Sequence, residues 1–155
     1  MLSAEFGEGK WKDAQKFASV AQEARIVTVP MLLVKPQTYM NLSGEAVKKI
    51  VDFYKLNGAE QVLIVSDDID IPLGTVRMRA SGGPGTHNGL KSVVEQLGEN
   101  FHRLRIGIGP KPENVDLSAW VLSRFSAEEQ TMLDTTLKTI PDMVKKFVME
   151  QPAKE

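Results

Sequence analysis

Cysteine is absent from the 155 residues, which removes disulfides, thiol nucleophiles and cysteine-ligated zinc together. Histidine occurs twice, at His87 and His102, so a zinc site is not expected. No apolar run approaches the roughly 18 residues of a membrane-spanning helix, so no membrane partner is expected. Residues 1–9 are mixed and acidic, without the basic and apolar regions of a signal peptide. A cytoplasmic protein is the expectation these absences leave. The Gly-x-Ser-x-Gly elbow is missing too, so a serine triad has no support. There is no internal repeat, low-complexity tract or linker, and residues 1–155 read as a single domain.

What is present fits a globular chain. Hydrophobic residues make up 42% and charged residues 25%, which argues against disorder and against a fibrous protein. The length is enough to bury a core. The net charge of −1 gives no whole-chain attraction to a polyanion, but the charge is unevenly spread. Between positions 77 and 111 stand Arg77, Arg79, Lys91, Arg103, Arg105 and Lys111 against only Glu95 and Glu99. Such a basic surface could hold phosphates, or it could be an ordinary solvated face.

Two short β-branched runs, 26–34 and 62–65, read as buried strands, with Pro30 marking a bulge, a turn or an edge position. Between them Leu42, Ala46, Val47, Ile50, Val51 and Tyr54 recur at helical spacing. Ser43 is placed to cap that helix, and Asn57-Gly58 to stop it. Pro72-Leu73-Gly74 reads as a turn. In 75–80, Val76, Met78 and Ala80 share one face of a strand, with Arg77 and Arg79 on the other. Leu90, Val93, Val94 and Leu97 give a second helix, with Asn88 placed to cap it. His102, Leu104, Ile106 and Ile108 alternate as a further strand, on which His102 reads as a core histidine. Ser126 and Glu129 form a capping box for a C-terminal helix that Pro141 kinks or restarts. Residues 13–25 are alanine-rich, and propensity alone predicts helix there. Alternating strands and helices imply a three-layer α/β sandwich.

Three segments could carry chemistry. Asn41, in 35–44, can both accept and donate, as recognition of an ester or amide requires, or it can simply start a helix. Ser66-Asp67-Asp68-Ile69-Asp70 follows the second strand, and ligands bind at such strand ends. A calcium loop is excluded there, because Pro72 stands where a third oxygen ligand is needed. A turn or cap role for these acids remains open. The third segment, 81–89, leads glycines into a helix and could offer backbone N–H groups to a phosphate. It matches neither the nucleotide P-loop nor the dinucleotide fingerprint, which leaves a loop presenting His87 and Asn88. Trp11 and Trp120 read as packing residues, although an exposed tryptophan could stack on a base.

Taken together, KPQTYMNLSG (35–44), SDDIDIPLG (66–74), GGPGTHNGLKSV (82–93) and FHRLRIGIGP (101–110) resemble the bacterial-type peptidyl-tRNA hydrolases in order and spacing. The likeness extends from about Phe17 to the C-terminus. It implies an α/β fold with a mixed central sheet flanked by helices on both sides. It implies hydrolysis of the ester joining a peptide to tRNA, with no metal or organic cofactor, by a monomer that binds the acceptor stem and 3′ end. By position, Asp67 resembles the partner that orients the family's base histidine, and Asn41 the group that positions substrate and water. Tyr39 falls on the substrate side with it. Asn88 resembles the asparagine at the 3′ end, with His87 as its neighbour, and Arg77, Arg79 and Arg105 match tRNA-binding positions. The resemblance also replaces helix by a strand hairpin over 16–24 and 26–34.

The family's opening strand, its Gly-Asn-Pro-Gly turn and the Arg-His-Asn segment carrying the base have no counterpart in the chain. The expectation is therefore an N-terminally truncated form of an active enzyme, impaired as it stands and with exposed apolar sheet edges. A non-catalytic RNA-binding relative is the alternative, and a small-ligand α/β enzyme unrelated to tRNA is a third reading.

Overall fold

The computed structural model describes residues 1–150, and residues 151–155 of the expected domain lie outside them. The chain opens with α1 (Leu2–Phe6), β1 (Lys12–Ala14) and a 3-10 turn at Gln15–Phe17. Next, β2 (Ser19–Ile26) and β3 (Val29–Pro36) pair antiparallel, with Ile26 opposite Val29 and Ser19 opposite Pro36. The hairpin therefore replaces the propensity-based helix. Buried Gln22, Ala24 and Ile26 alternate with exposed Glu23 and Arg25, and burial at period two outweighs the helix preference of alanine. The strand expected from residue 16 begins only at Ser19, after Ala18 in the left-handed region at φ 47°. The strand expected over 26–34 runs instead from Val29 to Pro36. Pro30 lies on β3, an edge of this three-stranded sheet, where its missing N–H is tolerated.

A 3-10 turn at Met40–Leu42 leads into α2 (Ser43–Tyr54), followed by α3 (Gly58–Gln61), β4 (Leu63–Pro72), β5 (Val76–Arg79), α4 (Asn88–Leu97) and β6 (His102–Gly109). The chain continues through α5 (Leu117–Val121), α6 (Ala127–Leu137) and α7 (Ile140–Met149). The second sheet has the order β4-β6-β5, with β4 parallel and β5 antiparallel to the central β6. It is thus the expected mixed sheet, and helices cover both of its faces. On one side Leu104 packs with Ile26 and with Ile140 and Val144 of α7; on the other, Phe101 packs with Leu90 and Val93 of α4. Among the described residues the strands bond as two separate three-stranded sheets, so β3 and β4 are edges there as well as β1 and β5. Val65 on β4 and Val29 on β3 are exposed apolar residues at those edges. Among the described residues no helix is long and apolar enough to cross a membrane.

The helix ends differ from the expected caps. The Ser43 hydroxyl donates to the Met40 carbonyl at 2.7 Å and does not cap α2. That helix ends at Lys55 in the left-handed conformation, while Asn57 caps α3 through the Ala59 amide. The cap of α4 is His87, whose Nδ1 accepts the Leu90 amide, and Asn88 is the first helical residue. The capping box of Ser126 and Glu129 is present, and Pro141 falls in the first turn of α7, so it restarts the helix.

Candidate active site at the Asp67–His87 pair

β4 does not end before the acidic segment, as the hydropathy suggested, but runs through it to Pro72, with a register irregularity between Asp68 and Pro72. Asp67 therefore stands within the strand, opposite Ile106 of β6. Its Oδ1 lies 2.9 Å from Nε2 of His87. The Leu90 amide donates to Nδ1 of the same ring at 3.1 Å, which leaves the ring proton on Nε2, directed at the carboxylate. The hydrogen bond from His87 is the main cause that holds the Asp67 carboxyl below its usual range. Burial opposes this, and the attraction of the imidazole adds to it.

The segment 35–44 reaches the same place by two contacts. A Cβ on Gly89 would stand 2.7 Å from Met40 Sδ and 2.9 Å from His87 Cε1, so Met40 and the imidazole crowd the start of α4. The Gly44 amide donates to Ser92 Oγ at 2.8 Å, and a Cβ at Gly44 would collide with the Ser92 carbonyl oxygen. Glycine thus lets α2 and α4 touch, and the serine takes one of the N–H groups that a helix start leaves unpaired. Asn41 and Asn88 are both exposed beside this contact, and Tyr39 is 81% exposed.

The basic residues divide. Arg77 and Arg79 are exposed on β5, as the alternation predicts. Arg105 faces Arg77 across the ladder and forms an ion pair with Asp68 at 3.6 Å, with both side chains about four-fifths buried. Arg103, counted in the sequence among the surface charges, is only 1% exposed. His102 begins β6 opposite Leu63, four residues before the level of Asp67, or about 13 Å along the strand. Its Nδ1 meets the Ala59 carbonyl at 2.9 Å, and its ring packs on Phe147, as expected of a structural histidine.

Asp67 opens onto a cleft of about 210 Å³ whose far wall is built by Ile108, Trp120, Val121, Arg124 and Phe125. This wall went unseen in the sequence. Trp120 reads there as a packing residue, and its indole does donate to the Ile108 carbonyl at 3.3 Å, yet α5 also brings it to the cleft. Among the described residues no three His, Cys, Asp or Glu side chains gather as a metal site.

The sequence matches a family model described as peptidyl-tRNA hydrolase over residues 2–155. The peptidyl-tRNA hydrolase of Chloroflexus aggregans is 45% identical over 137 residues, covering 88% of this chain and 73% of the relative. The chloroplastic peptidyl-tRNA hydrolase of Arabidopsis thaliana is 41% identical over 145 residues, covering 92% of this chain and 50% of the relative. The crystal structure of peptidyl-tRNA hydrolase from Acinetobacter baumannii superposes with a TM-score of 0.89 at 35% identity, over 96% of this chain and 74% of that one. The chain thus spans about three quarters of the two bacterial proteins and half of the plant one.

Proposed function

The chain belongs to the peptidyl-tRNA hydrolase family, and from that premise we propose that it acts on the ester between a peptide and the 3′ end of tRNA, recycling tRNA from aborted translation. The observation that carries this reading is the Asp67–His87 bond, with Asn88 next along α4 and Met40 packed against the same helix start. In this reading Asn88 holds the 3′ end, Asn41 positions the ester and the attacking water, and Tyr39 lies on the substrate side. Arg77, Arg79 and Arg105 meet the phosphates of the acceptor stem, as guanidinium groups suit them. The chemistry needs only side chains and water, in a single-domain, monomeric, cytoplasmic protein without metal or organic cofactor.

Neither histidine of the chain serves as the general base in this reading. The Nδ1 lone pair of His87 is taken by the Leu90 amide, and its Nε2 proton points at Asp67. His102 is bonded elsewhere, far along β6. We therefore assign His87 to positioning, and the base to a further histidine that would meet Asp67 from the family's N-terminal segment. General-base help is worth roughly 10²- to 10⁴-fold, so residues 1–155 alone would bind tRNA weakly and turn over slowly.

The test is cleavage of a peptidyl-tRNA by this chain beside a version with that segment joined ahead of it. Cleavage by the longer version alone supports the reading. Undiminished cleavage by residues 1–155 would overturn the assignment of the base and make His87 the first residue to mutate. Binding without cleavage by either version would favour a non-catalytic RNA-binding relative. In the longer version Asp67→Ala should lower rate more than binding, and Arg105→Ala binding more than rate; equal effects would refute that division.

A further inference from the structure

Arg103 is a charged side chain sealed inside the domain, 1% exposed on the central strand β6. Its setting is costly. Burial, first of all, holds its basicity below the usual value; the guanidinium groups of Arg79 and Arg105 add repulsion, which attraction to the Glu99 carboxylate partly offsets. Arg79 lies directly opposite it across the β5–β6 ladder. An apolar residue would fill the same volume without that penalty, so the bonds that Arg103 makes identify its use. Nη1 donates to the Gly83 carbonyl at 3.0 Å, and Nη2 to the Glu99 carbonyl at 3.0 Å and the Phe101 carbonyl at 3.5 Å. Its Cζ also stands 4.1 Å from the Phe101 ring centroid.

These acceptors fall on opposite sides of α4. Gly83 belongs to the loop that enters the helix and delivers His87 and Asn88, whereas Glu99 and Phe101 belong to the turn that leaves it. One planar group therefore ties both ends of the helix to β6. The entering loop is held a second time. Gly82 donates its amide to the Glu99 carbonyl at 3.2 Å, and its φ of 136° is a backbone conformation that residues with a Cβ rarely adopt.

We infer that Arg103 is a positioning residue, which sets α4 so that His87 meets Asp67 and Asn88 stands at the mouth of the site. Its part in catalysis rests on the proposed reaction, but the placement it enforces does not. Lysine at this position keeps the charge yet cannot span acceptors at both ends of the helix.

The experiment compares Arg103→Lys with Val144→Ala, a cavity variant in the α7 core on the other face of the sheet that lowers stability without touching the loop. The readout is solvent exchange of the His87 Nε2 proton by nuclear magnetic resonance, with thermal unfolding measured alongside. Arg103→Lys should speed that exchange at least tenfold, while Val144→Ala leaves it unchanged. Equal exchange in the two variants would overturn the inference. Should Arg103→Lys not fold, the unsubstituted protein decides: the Arg103 Nη protons must exchange at least tenfold more slowly than those of exposed Arg77, and equal rates would refute the anchoring. Neither readout uses substrate, so failure of the hydrolase reading would appear separately, as absent cleavage by the longer version.

Discussion

His87 and Asp67 join the start of α4 to the middle of β4 through a single 2.9 Å hydrogen bond. The same imidazole closes the first turn of α4 through its other nitrogen. One side chain therefore caps a helix and restrains a carboxylate that faces a cleft. Both uses engage the ring nitrogens, which is why the geometry supports His87 as a positioning group.

Replacing His87 tests both bonds. His87→Ala should destabilise the protein by about 2 kcal/mol, from the lost cap and the lost partner of a carboxylate. His87→Asn can still cap α4 but is too short to reach Asp67, so it should recover about half of that loss. Urea denaturation at pH 7 measures both, and a midpoint unchanged in His87→Ala would show that neither bond matters in solution.

The Asp67 carboxyl is held below its usual range in the fold, chiefly by the bond from His87. The native form therefore takes up a proton less readily than the unfolded chain. The resulting stability is complete above the unfolded value near 3.9 and disappears as pH falls through the lower native value. Unfolding measured from about pH 5 down to about pH 2 should show the gap between the protein and Asp67→Asn narrowing with acid. A gap independent of pH would contradict the shift.

At the contact of α2 with α4, Gly44→Ala should cost about 1–3 kcal/mol, because its Cβ has nowhere to go against the Ser92 carbonyl. Ser92→Ala should cost a similar amount, about 1–3 kcal/mol, by leaving the buried Gly44 amide without its acceptor. The double variant should fall short of the sum, since the two residues share one contact. Full additivity in a denaturant series would mean that the helices do not touch there.

Exposed Arg77 provides a test of tRNA binding that leaves the fold alone. Arg77→Gln should weaken binding of unrelated tRNAs alike and lower the slope of log affinity against log salt by about 1. Filter binding between about 50 and 200 mM salt measures this, and an unchanged slope would remove Arg77 from the phosphate contacts.

Much of the architecture is legible in local pattern. The alternation of Val76 and Met78 with Arg77 and Arg79 gives β5 and its basic face, and Ser126 with Glu129 marks the start of α6. Both signals are contained within a few neighbouring residues. Local pattern does not settle the caps near Ser43 and Asn88, because a polar residue near a helix start has several backbone groups within reach. Which of them it meets depends on how the chain enters. Residues 13–25 misled propensity for a similar reason, as the strand forms against partners in β1 and β3.

The sequence by itself determined the α/β class, the order of the longer strands and helices from residue 26 on, and the family, since periodicity and ordered motifs survive without coordinates. The short elements α1, β1, α3 and α5 carry too few residues to show a period. Only the tertiary structure decided that His87 bonds to Asp67, that Arg103 is buried under α4, and that Trp120 and Phe125 wall the cleft. Each of these depends on a partner distant in the chain, between 12 and 20 residues away for the hydrogen bonds of Trp120, His87 and the Arg103–Gly83 pair. Hydrophobic pattern records which side of an element is buried, but the choice of partner across such a separation is made only when the sheets and helices pack.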